Sequence, residues 1–202
     1  MAGDCYTPLR MYPTVLALAL LSAPVWGAEL SKADRQRLLA HLELTEGWLQ
    51  TEIAGLSAKQ LNFQPNPDSW SIHNVIEHLA VAEPQYWQQV QDAVKKGAAG
   101  FQSKVKDADI LWYGIDRTNR QRTGAAREPK GQFAETAQGL TSFRKLRAVM
   151  KSYAQTTSDD LRATQLIDSQ MDVYQWFLMI STHSQRHILQ IREIKANAAF
   201  PK

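Results

Sequence analysis

Apolar residues recur at helical spacing in four long stretches of the chain. No stretch sustains the period-two alternation with β-branched enrichment that strands require. The pattern predicts an all-α fold. The first helix runs from about Lys32 to Leu56, with Leu38, Leu39, Leu42, Thr45, Leu49, Ile53 and Leu56 on one side; Gly55 and the proline-rich turn through Pro65 and Pro67 end it. The second starts after Asp68-Ser69-Trp70-Ser71, whose side chains can cap free amides, and carries Ile72, Val75, Ile76, Leu79, Ala82, Tyr86 and Val90 inward. Pro84 falls inside it and predicts a kink near Ala80 or a break into two helices. The third runs from about Ala134 to Thr156 with Leu140, Phe143, Leu146, Met150 and Tyr153 inward, and the fourth from Asp172, an apt cap, to about Asn197.

Between roughly Gly97 and Gln132 the chain is polar and rich in Lys, Arg and Gly, apart from Ile110-Leu111-Trp112-Tyr113, which should dock on the core. A connection of that length inside a compact bundle is a crossover or a lid. The second and third helices are therefore not expected to form a simple hairpin pair.

The stripe of the fourth helix reads Val173, Trp176, Ile180, His183, His187, Ile191 and Ile194. Both histidines thus fall on the face that packs against the core. A buried imidazole nitrogen without a partner costs on the order of 1–3 kcal/mol, so two of them one turn apart call for hydrogen-bond partners or a shared cation. Their i, i+4 spacing suits a metal ion. Of the remaining histidines, His78 lies on or at the edge of the buried stripe of the second helix and is the best third member. His73 lies near the first turn of that helix, as a cap or in solvent, and His41 falls off the stripe of the first. Glu77 and Glu83 are candidate carboxylate partners or general bases, although a solvated helix surface accounts for each. Arg186 would reach an anionic group or hold a carboxylate of a neighbouring helix, and Tyr174 and Trp176 read as core.

Composition sharpens the picture at the N-terminus. Arg10, the apolar run Val15 to Leu21 and the small residues leading to Gly27 and Ala28 match a secretory signal, too short to span a bilayer comfortably. Residues 1–28 are read as a signal peptide, with Met1 or Met11 as the start, and 29–202 as the bundle domain; the mature protein would be periplasmic or secreted, without stable membrane insertion. Removing Arg10 and Asp4 together leaves the net charge at +3. The bases are dispersed, so nucleic-acid binding gains no support. The single cysteine, Cys5, lies in the removed segment and upstream of the apolar run. That excludes cysteine catalysis and disulfides in the mature chain and argues against a lipid anchor. A small-molecule substrate and a homodimer are both compatible with this reading.

Trp70-Ser71-Ile72 followed by His78-Leu79, then Asp116-Arg117-Thr118, Asp172-Val173-Tyr174-Gln175-Trp176, and His183-x-x-Arg186-His187-x-x-Gln190-Ile191 with Phe200-Pro201, resembles the DinB-like superfamily. The resemblance covers about Leu30 to Lys202. It implies a four-helix bundle with up-down-down-up connectivity and a divalent metal, zinc or nickel, on His78, His183 and His187. It also implies either a thiol-dependent transferase, in which the metal binds a thiol cofactor as thiolate, or a metal-dependent hydrolase. Predicted export disfavours the first, since cytosolic thiol cofactors are scarce outside the cytoplasm. A non-catalytic secreted bundle that binds a metal or small molecule is the alternative, and the residues do not assign a catalytic base.

Overall fold

The computed structural model describes residues 29–120 and 122–202. The segment read as a signal peptide, with Cys5 and Met11, lies outside the described residues. The described chain is helical: α1 (Lys32–Ile53), α2 (Ala58–Leu61), α3 (Ile72–Lys96), α4 (Asp107–Ile115), α5 (Thr136–Thr156) and α6 (Val173–Lys195). No helix among the described residues is long and apolar enough to cross a membrane.

The helix starts follow local chemistry. Ser71 and Asp172 each cap a helix, accepting the amides of Asn74 and Gln175, whose side chains accept the cap amides in return. Of the expected kink near Ala80 or break into two helices, the break does not occur: α3 continues through Pro84 as one helix. The proline lies on the exposed face, so its ring meets no neighbouring helix, and packing on both sides outweighs one missing hydrogen bond.

α1, α3, α5 and α6 form the bundle, with α1 and α3 each packed between α5 and α6. Cross-helix pairs fix the directions. Arg35 at the start of α1 donates to the carbonyl of Ala154 at the end of α5, so these two run antiparallel. His41 meets Ser181, and Lys195 meets Glu52 eleven residues further along α1, so α1 and α6 run parallel. Trp70 stacks on His187 while Trp87 meets Phe177, which makes α3 and α6 antiparallel. Gly139 abuts Ile76 and Tyr153 meets Trp87, which makes α3 and α5 parallel. The connectivity is up-down-down-up, and the parallel α3–α5 pair is what requires the long crossover to return the length of the bundle.

Two apolar clusters fill the interior. One gathers Leu38, Leu42, Met150, Phe177 and Ile180; the other gathers Leu49, Ile72, Ile76, Leu79, Phe143, Ile188 and Ile191. The crossover contains a helix of its own, α4, which docks on α6. It buries Ile110 and Gly114 but leaves Leu111 and Trp112 exposed, so only part of the apolar tetrapeptide docks as expected. The approach is close enough that a Cβ on Gly114 would sit 2.9 Å from the Thr182 Cβ. Glycine is required there by contact, not by backbone angle.

Candidate metal centre

The structure brings His78 of α3 together with His183 and His187 of α6. The Nε2 atoms of His78 and His187 each lie 3.2 Å from the Nε2 of His183, and the three ligand nitrogens all fall within 4.8 Å of one another. Two nitrogens bound to one ion at about 2.1 Å with a tetrahedral angle would be about 3.4 Å apart. The observed spacing matches that edge.

Proton positions sharpen the case. Nδ1 of His78 lies 2.7 Å from the carbonyl of Arg127, which only accepts, so this ring carries its proton on Nδ1 and presents a bare lone pair on Nε2. His187 does the same by donating from Nδ1 to Gln190 Oε1 at 2.8 Å. Two lone pairs therefore converge on His183, whose Nε2 can offer at most one proton. At least one acceptor stays unmet by the protein, and Nδ1 of His183 is itself buried without a partner. A cation at the convergence point would satisfy every Nε2 at once, so the donor set fits a divalent ion.

Electrostatics agree. Burial pushes the His183 pKa well below its ordinary value, with help from the neighbouring His187 and His78. Burial and the charge of His78 push His187 down to about 3, and burial lowers His78. All three rings are thus neutral at neutral pH, as metal ligation requires. His183 and His78 are buried, and His187 is half-buried.

Aromatic rings wall the centre. Trp70 packs 4.9 Å from the His78 ring and stacks 6.1 Å from His187, and Tyr86 meets the His183 ring edge-on at 5.4 Å. The crossover closes over this wall and is tied down by several groups. Glu77 Oε1 accepts the amides of Lys130 and Gln132 at 2.7 and 2.8 Å, and Gln85 donates to the carbonyl of Ala126. Arg186 donates to the carbonyls of Tyr113, Asp116 and Asn119, while Arg117 grips both carboxylate oxygens of Glu193.

Several expectations need correction. Glu77 and Glu83 are both buried, not solvated: Glu77 holds the crossover through Oε1 while its Oε2 is buried without a hydrogen-bond partner, and Glu83 is locked to Arg147 through both oxygens. Arg186 holds backbone carbonyls instead of a carboxylate. His73 neither caps nor faces solvent; its Nδ1 lies 2.8 Å from the Thr136 hydroxyl and links α3 to the start of α5. His41 lies 2.6 Å from Ser181 Oγ on the wall of a separate cavity of about 460 Å³, with Leu44, Leu111, Tyr174 and Leu178. Tyr174 and His183 are nine residues apart, which at about 100° per residue is half a turn beyond two, so this cavity occupies the opposite face of α6. Arg147 and Arg127 escaped the sequence reading, although the position of Arg147 between Phe143 and Met150 on the α5 stripe was a usable signal.

A family model of the DinB superfamily matches residues 32–191. The chain belongs to the DinB superfamily. This DinB-superfamily protein is similar to YuaE of Bacillus subtilis (strain 168), described as an uncharacterized protein, with 26% identity over 153 residues that span 74% of this chain and 91% of the relative. Its fold is similar to the solved structure of YfiT from Bacillus subtilis, described as "a probable metal-dependent hydrolase with an unusual four-helix bundle topology". That likeness has a TM-score of 0.56 at 15% identity and covers 85% of this chain and 91% of YfiT. In the DinB-superfamily chain the histidine of α3 and the histidine pair of α6 meet at one point, as the motif pattern anticipated.

Proposed function

We propose that this protein is an exported metal-dependent hydrolase of small molecules that holds one divalent ion, zinc or nickel, on His78, His183 and His187. The observation that carries this reading is the convergence of two proton-free Nε2 lone pairs on His183 Nε2, each at 3.2 Å. The description of YfiT as a probable metal-dependent hydrolase supports the reaction class.

A divalent ion at this point supplies Lewis acidity, which eases the deprotonation of water and polarises a carbonyl or phosphoryl oxygen. The chain prepares the place for it. The Arg127 carbonyl and Gln190 fix the tautomers of His78 and His187, so both donors point inward before anything binds. Trp70 and Tyr86 pack apolar ring surface against the imidazoles of His78 and His183. Burial raises the Tyr86 pKa, so the phenol stays protonated and its hydroxyl keeps a proton to offer a ligand. Glu83 is committed to Arg147 through both oxygens, and Glu77, bound to the crossover through Oε1 only, is the one candidate carboxylate beside His78 with a free oxygen.

Metal analysis of the untagged protein, followed by an ester, amide and lactone hydrolysis panel and a thiol-transfer panel, tests the proposal. The expected result is one equivalent of bound metal and hydrolysis that is lost on chelation and in His187→Ala. Protein that retains no metal overturns the centre; metal-loaded protein that turns over thiol substrates, or nothing, overturns the hydrolase. N-terminal sequencing of the mature protein tests export: a chain starting near Glu29 supports it, and one retaining Met1 or Met11 refutes it.

A further inference from the structure

Every arginine close to the centre has an assigned partner except Arg127. Arg117 is held by Glu193, Arg186 by three carbonyls and Arg147 by Glu83. The Arg127 guanidinium makes no ion pair or hydrogen bond among the described residues, and its Nε is buried without a partner. It lies 5.4 Å over the Tyr86 ring, whose edge meets His183, and its charge contributes to lowering His78 and His183. Among the described residues the charge is therefore met only by the face of the Tyr86 ring, with no carboxylate or carbonyl paired to it.

The backbone beneath it is fixed from both sides. The amide of Arg127 donates to the Gly124 carbonyl at 2.9 Å, and its carbonyl accepts from His78 at 2.7 Å. One residue thus orients a histidine through its carbonyl and presents a guanidinium through its side chain. The neighbouring Tyr86 hydroxyl also makes no hydrogen bond among the described residues. The Arg127 Nε is a buried donor without a partner while the rest of the fork is open to a ligand, and a planar guanidinium fork matches the oxygens of a carboxylate or phosphoryl group.

We propose that Arg127, assisted by the Tyr86 hydroxyl, is the substrate-binding arm of the histidine centre and selects small molecules that carry an oxyanion, a carboxylate or phosphoryl group, next to the reacting group. This rests on the reading of the centre as a metal site for its catalytic meaning, but the charge recognition itself does not need the ion.

The test is binding of benzoate, phenylphosphonate and neutral benzamide to the full metal-loaded protein, followed by calorimetry and by tryptophan fluorescence. Benzoate or phenylphosphonate should bind at least about tenfold more tightly than benzamide, a preference that weakens as salt rises. The stronger of the two anions identifies which oxyanion the fork fits. Arg127→Gln should erase the preference, and Arg127→Lys should retain part of it, since charge survives without the fork. Both variants should still bind metal no more weakly than the wild type by chelator competition, and neither should melt at a lower temperature, since the carbonyl that orients His78 is retained and only a charge beside the centre is changed. Equal binding of benzoate, phenylphosphonate and benzamide by the wild type, or an undiminished preference in a folded Arg127→Gln protein, overturns the proposal. His187→Ala separates the two ideas: anion preference that persists without bound metal supports the arm on its own, whereas loss of metal uptake in the wild type sinks only the metal reading.

Discussion

Two polar centres lie buried where α3 meets α6, five residues apart on α3 and adjacent on α6, and they behave in opposite ways. At the first, Arg147 and Glu83 are both fully buried, with Arg147 Nε donating to Glu83 Oε2 at 2.7 Å. Ser184 donates to the other carboxylate oxygen, and Arg147 also donates to Ser184 and, at 3.4 Å, to Thr45. Charge is neutralised and the carboxylate is satisfied from inside the chain. At the second, His78, His183 and His187 bring together lone pairs that no internal donor set can fill. The difference separates structural polarity from functional polarity: a closed network joins helices, and an open one awaits a ligand.

The largest effect should come from breaking the closed centre. Arg147→Met would strand the Glu83 carboxylate in the core and should cost about 3–5 kcal/mol in urea unfolding, whereas Arg147→Met combined with Glu83→Leu should recover most of that loss. A loss below about 1 kcal/mol in the single variant would mean that the centre is not closed as described.

Acid should expose the open centre next. In metal-free protein the folded-state pKa values of His183 and His187 lie below the ordinary 6.5, with His187 near 3, so the unfolded chain takes up protons first as pH falls. Stability should be full above about pH 6.5 and decline from there toward pH 3, with a slope of up to about 1.4 kcal/mol per pH unit for each ring. His187→Gln should flatten part of that slope; a profile identical to wild type would show that His187 is not held neutral by the fold.

Metal addition should raise stability by about 2.7 kcal/mol at a hundredfold excess over Kd. His187→Ala should abolish that response while leaving helical content nearly intact, because the leucine and isoleucine clusters hold the bundle without the ion. A melting curve that ignores zinc and nickel in verified metal-free protein would leave the histidines as a polar network. The smallest effect belongs to Gln190→Ala, which frees His187 to change tautomer and should weaken metal affinity about 10–100-fold without altering the metal-free melt. Unchanged affinity would remove Gln190 from the centre.

Much of this was legible within single helices. The caps at Ser71 and Asp172, the apolar stripes and the inward register of His78, His183 and His187 are all patterns of three or four residues, the range over which a helix places side chains on one face. The length of the polar connection likewise announced a crossover, because parallel neighbours cannot be joined by a short turn. What only the tertiary structure decided were partnerships across the chain. Glu83 meets Arg147 64 positions away, and His78 finds the Arg127 carbonyl 49 positions away. α4 turns Ile110 inward and Trp112 outward, and Pro84 is tolerated because it faces solvent. No local periodicity encodes which buried acid will meet which base. That depends on how four helices pack at once, since a polar group in the core is stable only where packing happens to bring it a partner.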